Sequence, residues 1–222
     1  MTPLESTLQA GLNTAAAALG LEVSPVQIDT LLRYLLLLQR WNGVYNLTSV
    51  REPEQMLTLH LADCLALMAP LRRQLAAGSG AQGGVRLLDV GSGAGLPGVV
   101  IAALNPDVAV TCVETVGKKA AFVQQVASEL ALRNLSSEHA RVERLRAAPF
   151  NVITSRAFAS LPDFVKLTRA LLAPDGVWMA MKGKHPVDEL ALLPADVDVF
   201  HVEPLAVPGL TAERCLVWMK IK

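Results

Sequence analysis

The chain has 222 residues, of which 52% are hydrophobic and 18% charged, with 20 Lys/Arg against 20 Asp/Glu. That length suits one domain with a small extension, and the composition supports a sizeable core while arguing against long disordered stretches. A net charge of zero argues against a generic nucleic-acid coat, and three scattered cysteines (Cys64, Cys112 and Cys215) with no CxxC pair support neither a metal site nor a disulfide framework.

The first residues, Met1 to Gln9, carry no basic segment followed by an apolar one, so no signal peptide is expected. The longest leucine run, Leu35 to Leu38, is far short of the ~20 apolar residues of a membrane span, and a cytoplasmic protein without membrane contact is expected. Residues 1–75 read as helical. Ser24 and Pro25 mark a helix start, and Val26, Ile28, Leu31, Leu32 and Leu35 follow at mostly helical spacing, carrying that helix to about Arg40. Pro53 opens a second helix with Met56, Leu57, His60, Leu61, Cys64 and Leu65 near one face. Residues 76–84 read as a flexible glycine-rich linker, which divides the chain into an N-terminal helical extension over 1–80, packing on the remainder, and a main domain over 81–222.

Beyond the linker, strands and helices alternate. Strands are expected at Val85–Val90, Val108–Glu114, Leu135–His139, Val152–Ser155, Gly176–Met181, Val197–Val202 and Cys215–Lys220. Helices are expected at Leu96–Leu104, Gly117–Leu132, Leu161–Leu172 and near Pro186–Leu192. This order implies a Rossmann-like α/β fold with a mostly parallel seven-stranded sheet whose final strand runs antiparallel. Charge is uneven along the chain. Residues 85–184 hold twelve Lys/Arg against eight Asp/Glu, a mildly basic segment able to offer a phosphate-binding patch.

The segment Leu88-Asp89-Val90-Gly91-Ser92-Gly93-Ala94-Gly95-Leu96-Pro97-Gly98 is the most informative. An apolar strand ends on an acid and turns through alternating glycines into a helix, so a ligand can lie directly on the backbone and face the helix N-terminus. A dinucleotide fingerprint starts directly after its strand, whereas Gly93, Gly95 and Gly98 begin two residues late. The register from the strand end, hhDhGxGxG, resembles motif I of class I S-adenosyl-L-methionine (SAM)-dependent methyltransferases. Gly91, Gly93 and Gly95 are accordingly candidate cofactor contacts. Glu114 ends the second strand 19 residues after Gly95, a spacing from which a carboxylate can accept bonds from ribose hydroxyls. The turn Ala140-Arg141-Val142-Glu143 after the third strand is placed to meet an adenine edge.

Several segments together resemble the RsmG (GidB) family, the bacterial guanine-N7 methyltransferases of 16S ribosomal RNA. They are Trp41-Asn42-Gly43-Val44-Tyr45-Asn46-Leu47-Thr48, His60-Leu61-Ala62-Asp63-Cys64-Leu65, the glycine loop, Ser155-Arg156-Ala157-Phe158-Ala159 and Lys182-Gly183. The resemblance covers about residues 25–220 and implies SAM contacts at Gly91, Leu96, Val142, Glu143 and Arg156. It also implies 16S ribosomal RNA, the 30S subunit or its assembly intermediate as partner, with the protein expected to be a monomer. Acceptors that are another RNA, a protein or a small molecule remain open, as does a nucleotide-binding module without methyl transfer.

Guanine N7 is an unprotonated lone pair, so no general base is required and no catalytic residue is assigned. Arg156 has two functional readings, pairing with the SAM carboxylate or positioning guanine or a phosphate, beside a purely structural salt bridge; the positive charge that develops on the methylated ring favours ligand anchoring. Lys118, Lys119, Arg141, Lys182 and Lys184 are candidate RNA contacts, and Trp41, Tyr45 and Phe158 are candidate base-stacking residues.

Overall fold

In the computed structural model, residues 2–77 and 84–222 are described. The boundary expected at 80/81, and most of the linker around it, lie outside these residues. Side-chain caps start the first helices. Thr2 caps α1 (Pro3–Ala18) and Ser24 caps α2 (Pro25–Tyr45); each helix has proline in its first turn and a reciprocal bond from Glu5 or Gln27. α2 runs past Arg40 to Tyr45 and ends on Asn46, whose φ of 49° is left-handed. The helix expected from Pro53 is broken instead into α3 (Pro53–Met56), a π turn over Leu57–Ala62 and α4 (Asp63–Leu65), before α5 (Met68–Ala77). A widened turn of this kind rotates the side chains that follow it, and such turns cluster at functional sites.

The remainder alternates as expected: β1 (Val85–Val90), α6 (Gly98–Leu104), β2 (Val108–Glu114), α7 (Gly117–Glu129), β3 (Leu135–His139), β4 (Phe150–Arg156), α8 (Leu161–Thr168), β5 (Leu172–Lys182), α9 (Val187–Ala191), β6 (Val197–Pro204) and β7 (Cys215–Ile221). Three helices are shorter than expected; α8 ends at Thr168, where a 3₁₀ turn over Arg169–Leu171 leads directly into β5 at Leu172. α6 starts at Gly98 because the amides of Gly95 and Leu96 first turn back onto the Ser92 carbonyl. α7 stops at Glu129, ahead of Ala131 in the left-handed region (φ 53°).

The seven strands lie in the order β3-β2-β1-β4-β5-β7-β6, parallel except for β7, which runs antiparallel to both neighbours. Strand order therefore reverses between β1 and β4, where ligands of open α/β sheets bind at the carboxyl ends. Side chains alternate between two cores. Leu87, Met179, Met181, Leu216 and Trp218 join α6, α7 and the N-terminal helices. Leu88, Val90, Ile153, Trp178, Ala180 and Val217 pack with α8 on the other face. The first core runs without a break from Leu8 of α1 through Leu35 and Leu38 of α2 to the sheet. Among the described residues no helix is long and apolar enough to cross a membrane.

One buried polar bond links the N-terminal helices to the glycine loop. Fully buried Tyr34 of α2 donates its hydroxyl to the Ala94 carbonyl at 2.9 Å. Tyr34→Phe leaves that carbonyl without its donor and is expected to cost about 1–2 kcal/mol in urea-melt stability. An unchanged midpoint would show that the carbonyl finds another partner.

Candidate active site

The loop leaving β1 is shaped by positive φ at Gly91 (65°), Gly93 (58°) and Gly95 (88°). Two of these glycines serve different ends. A Cβ on Gly93 would meet nothing within 4 Å, so its open face is available to a ligand. A Cβ on Gly95 would lie 2.5 Å from Val99 and 3.1 Å from Val123, so its missing side chain lets the loop pack down onto α6 and α7. Beneath the loop, Asp89 is fully buried, and one of its carboxylate oxygens accepts the Gly98 amide at 2.8 Å. Its other oxygen, Oδ1, meets no donor among the described residues, and burial pushes the carboxyl up to about 7.

Two pockets meet over the loop and share Gly91 and Ala157. One, about 510 Å³, is lined by Gly91, Gly93, Leu96, Arg156, the carboxyl end of β5 and Arg214 just before β7. The other, about 430 Å³, lies between Glu114 at the end of β2 and the Ala140–Glu143 turn after β3. Glu114 is buried; it accepts the Gly93 amide on Oε2 and the Val116 amide on Oε1, both at 2.9 Å, fastening the glycine loop to the start of α7. At the junction, Ala157 is held at φ 53°, a conformation that costs a non-glycine residue roughly 1 kcal/mol and recurs at ligand sites. A cleft of two joined lobes with backbone exposed at Gly93 and a carboxylate at Glu114 fits an elongated nucleoside-bearing cofactor with a charged end.

The wall of the larger pocket is a buried ion triad. Asp63, 2% exposed, accepts Arg156 Nη1 on Oδ2 at 3.0 Å and Arg214 Nε on Oδ1 at 2.8 Å. Arg156 Nη1 also donates to the Leu59 carbonyl of the π turn at 3.0 Å. His60 lines the same wall, with its Nε2 3.0 Å from the Thr48 hydroxyl. Burial and the neighbouring Arg156 lower its pKa, keeping the imidazole neutral.

The structure brings Gly91, Gly93, Leu96, Lys119, Arg156 and Lys182 to the larger pocket, and Glu114, Arg141, Val142 and Glu143 to the smaller one. Gly95 faces inward and lines neither, and Lys118 is exposed outside both. Lys184 lies farther along the rim, in an adjoining pocket. Two of these cations are already paired: Arg156 as above, and Lys182, which donates to Glu189 at 2.7 Å and to the Ala159 carbonyl at 3.0 Å. Of the aromatic candidates, Phe158 packs on Gly91, where a Cβ would come within 2.5 Å of its ring, and Trp41 packs on Phe122 at 5.5 Å; Tyr45 is exposed. Sequence reasoning did not assign Asp63, His60, Thr48 or Arg214 to the site. Thr48, His60 and Asp63 stood in diagnostic segments, but the partners that set their roles are not local to those segments.

A family model described as GidB, rRNA small subunit methyltransferase G, matches residues 27–217. A "Ribosomal RNA small subunit methyltransferase G" from Methylibium petroleiphilum is 61% identical, the match covering 97% of this chain and 95% of the relative. One from Leptothrix cholodnii is also 61% identical, covering 99% and 97%. Among solved structures, a SAM-dependent methyltransferase from Aquifex aeolicus superposes with a TM-score of 0.52 at 16% identity over 77% of this chain and 99% of the other, and a ribosomal protein L11 methylase from Lactobacillus delbrueckii subsp. bulgaricus with 0.54 at 14% over 71% and 77%. These two establish the fold, the Rossmann-like class I methyltransferase architecture.

Removing Asp63 strands two guanidiniums. Asp63→Ala is expected to cost about 2–4 kcal/mol, less than a fully buried pair because the arginine side chains are 21% and 24% exposed; chemical denaturation measures it. For Asp89, the unfolded chain gives up its proton near pH 4 while the folded chain keeps it to about pH 7. This group's contribution to stability therefore falls as pH rises through that window and is flat above it. Urea melts at pH 4, 5, 6 and 7 should show the slope in the wild type relative to Asp89→Asn; parallel curves would remove the assignment.

Proposed function

The chain belongs to the rRNA small subunit methyltransferase G (GidB) family, and on that premise we propose that it transfers a methyl group from SAM to N7 of a guanine in 16S ribosomal RNA. The observation that carries the reading is the pair of pockets joined at Gly91 and Ala157, at the point where strand order reverses. SAM supplies, when bound, a methyl group activated on a sulfonium.

The chain's own residues hold and orient. Gly91, Gly93 and Leu96 cradle the methionine end, with Gly95 serving that cradle from behind. Glu114 accepts from the ribose hydroxyls, and Val142 and Glu143 border the adenine. Arg156, set by Asp63 and the Leu59 carbonyl, anchors the cofactor carboxylate. Fixing donor and acceptor at near-attack distance is most of the catalytic task for a direct displacement. The acceptor lone pair carries no proton, and the lining suits such an acceptor: His60 is held neutral against Thr48, and Asp63 is spent on two arginines.

The RNA approaches across the cationic rim, with Lys119, Lys182, Lys184, Arg141 and, farther out, Lys118 meeting phosphates. The N7 edge lies in the deep groove of paired RNA, so the target guanine is taken from a loop or presented unstacked. The substrate is 16S ribosomal RNA, free or within the 30S subunit or its assembly intermediate. The enzyme acts in the cytoplasm as a monomer, and its first 80 residues form an extension packed on the catalytic domain.

Isotope-labelled SAM offered with small subunits, naked ribosomal RNA and protein extract should place label in ribosomal RNA, at a guanosine that mass spectrometry maps; label confined to protein or small molecules would reject the reading. Gly93→Ala adds a methyl where φ is 58° and the pocket is open, so SAM affinity by calorimetry should fall about ten-fold or more while folding loses only about 1 kcal/mol. Single-turnover methyl transfer at saturating substrates should be flat from about pH 6 to 8; a rate rising ten-fold per pH unit would reveal a base.

A further inference from the structure

A third pocket, about 510 Å³, adjoins the larger active-site pocket, and of its lining only Lys184, on the rim, contacts RNA in the scheme above. It is walled by the loop between β6 and β7. That loop is closed at its base by the Leu205 amide on the Arg214 carbonyl at 2.8 Å, turned by Leu210 on Val207 at 3.1 Å, and rests on the π turn, where a Cβ on Gly209 would lie 3.5 Å from Thr58. The pocket is therefore pre-formed. It shares Arg214 and Gly183 with the larger active-site pocket. Gly183 is the saddle between them: a Cβ there would meet nothing within 4 Å, leaving the passage clear. One wall is apolar, with Leu205, Val207 and Leu210, and the rim carries exposed Lys184 and His185 as well as the acidic Glu213.

We propose that this pocket receives the nucleotide adjacent to the target guanosine, its base against the apolar wall and its phosphate at Lys184 and His185 on the rim. This rests on the ribosomal RNA reading. A guanine presented for methylation leaves its stack, and the exposed face of the neighbouring base is covered instead by apolar contact with Leu205, Val207 and Leu210. Continuity through Gly183 favours an RNA strand over a separate protein segment, because one strand can span both pockets across this saddle without a break. The volume falls in the ~300–1,000 Å³ range of small-molecule sites. The selectivity that results is for the base beside the target, read by shape and apolar contact.

The probe is a labelled fragment of ribosomal RNA around the mapped guanosine, intact or with an abasic residue on its 5′ or 3′ side, titrated by fluorescence anisotropy with SAM present. On one side the abasic residue should weaken wild-type binding by about 5- to 100-fold. Ala206→Trp, which fills the pocket from an exposed position, should bind the intact fragment about as weakly as the wild type binds the abasic one, and should lose that sensitivity to within about two-fold. Its SAM affinity should be unchanged. Leu210→Ser gives a second variant, which thins the wall without added bulk and should blunt the same difference. Equal sensitivity in wild type and variants, or none on either side in the wild type, overturns the proposal. So does a variant that binds the fragment normally and loses affinity only for whole subunits, which would assign the pocket to a ribosomal protein. Label reaching no ribosomal RNA in the wild type would instead sink the underlying activity.

Discussion

One carboxylate holds the site together. Asp63 is buried on the short helix that follows the π turn, and its two oxygens bind guanidiniums that stand 93 and 151 residues farther along the chain. Arg156 ends the fourth strand and Arg214 precedes the seventh, so a single side chain of the N-terminal segment ties together the ends of two interior strands of the main sheet. Such a triad is costly to desolvate and contributes little net stability over an apolar replacement. What it secures is geometry: both cations stay charged, fixed and turned to one cavity, where side chains as long as arginine would otherwise sample many rotamers.

The N-terminal helices are for this reason not an appendage. Their apolar faces complete the core on one side of the sheet, and their polar groups complete the pocket. The π turn is the point of contact. It offers the Leu59 carbonyl to Arg156 and presents His60 and Asp63 to the cavity, with Thr48 meeting the histidine from the preceding loop. A regular helix through the same residues would follow 3.6-residue periodicity, and its apolar stripe was the feature visible in the sequence.

The strands were legible because their pattern is strong. β1 and β2 lie at the residues their apolar runs mark, β3 lies at the expected Leu135–His139 although its residues are mostly polar, and the glycine loop follows β1 at the expected place. Helix ends were less legible: α7 keeps an apolar pattern through Leu132 but stops earlier, since Ala131 adopts a left-handed conformation that no side chain advertises. Within the site, residues tied to local motifs could be read, among them Gly93, Glu114 and Arg156. Arg214 could not, because its role depends on a partner 151 residues away. The aromatic candidates divide by packing that composition does not encode; Phe158 and Trp41 pack inside the protein, while Tyr45 packs on Trp41 with its other side exposed. Lys182, read as a free phosphate contact, sits with Glu189 close enough to compete for its charge.

The bond from Tyr34 to the carbonyl of Ala94 bears on how the glycine loop moves. Loops rich in glycine are usually the first parts of a protein to open. Here one is pinned from below by Asp89, from the side by Glu114 and from above by a helix that belongs to the main core. Opening the loop has to break these bonds as well as its own backbone turns, so it opens less readily than a glycine loop held by its backbone alone. The cradle behaves as a rigid jig, and any breathing needed to admit a ligand is left to the rim.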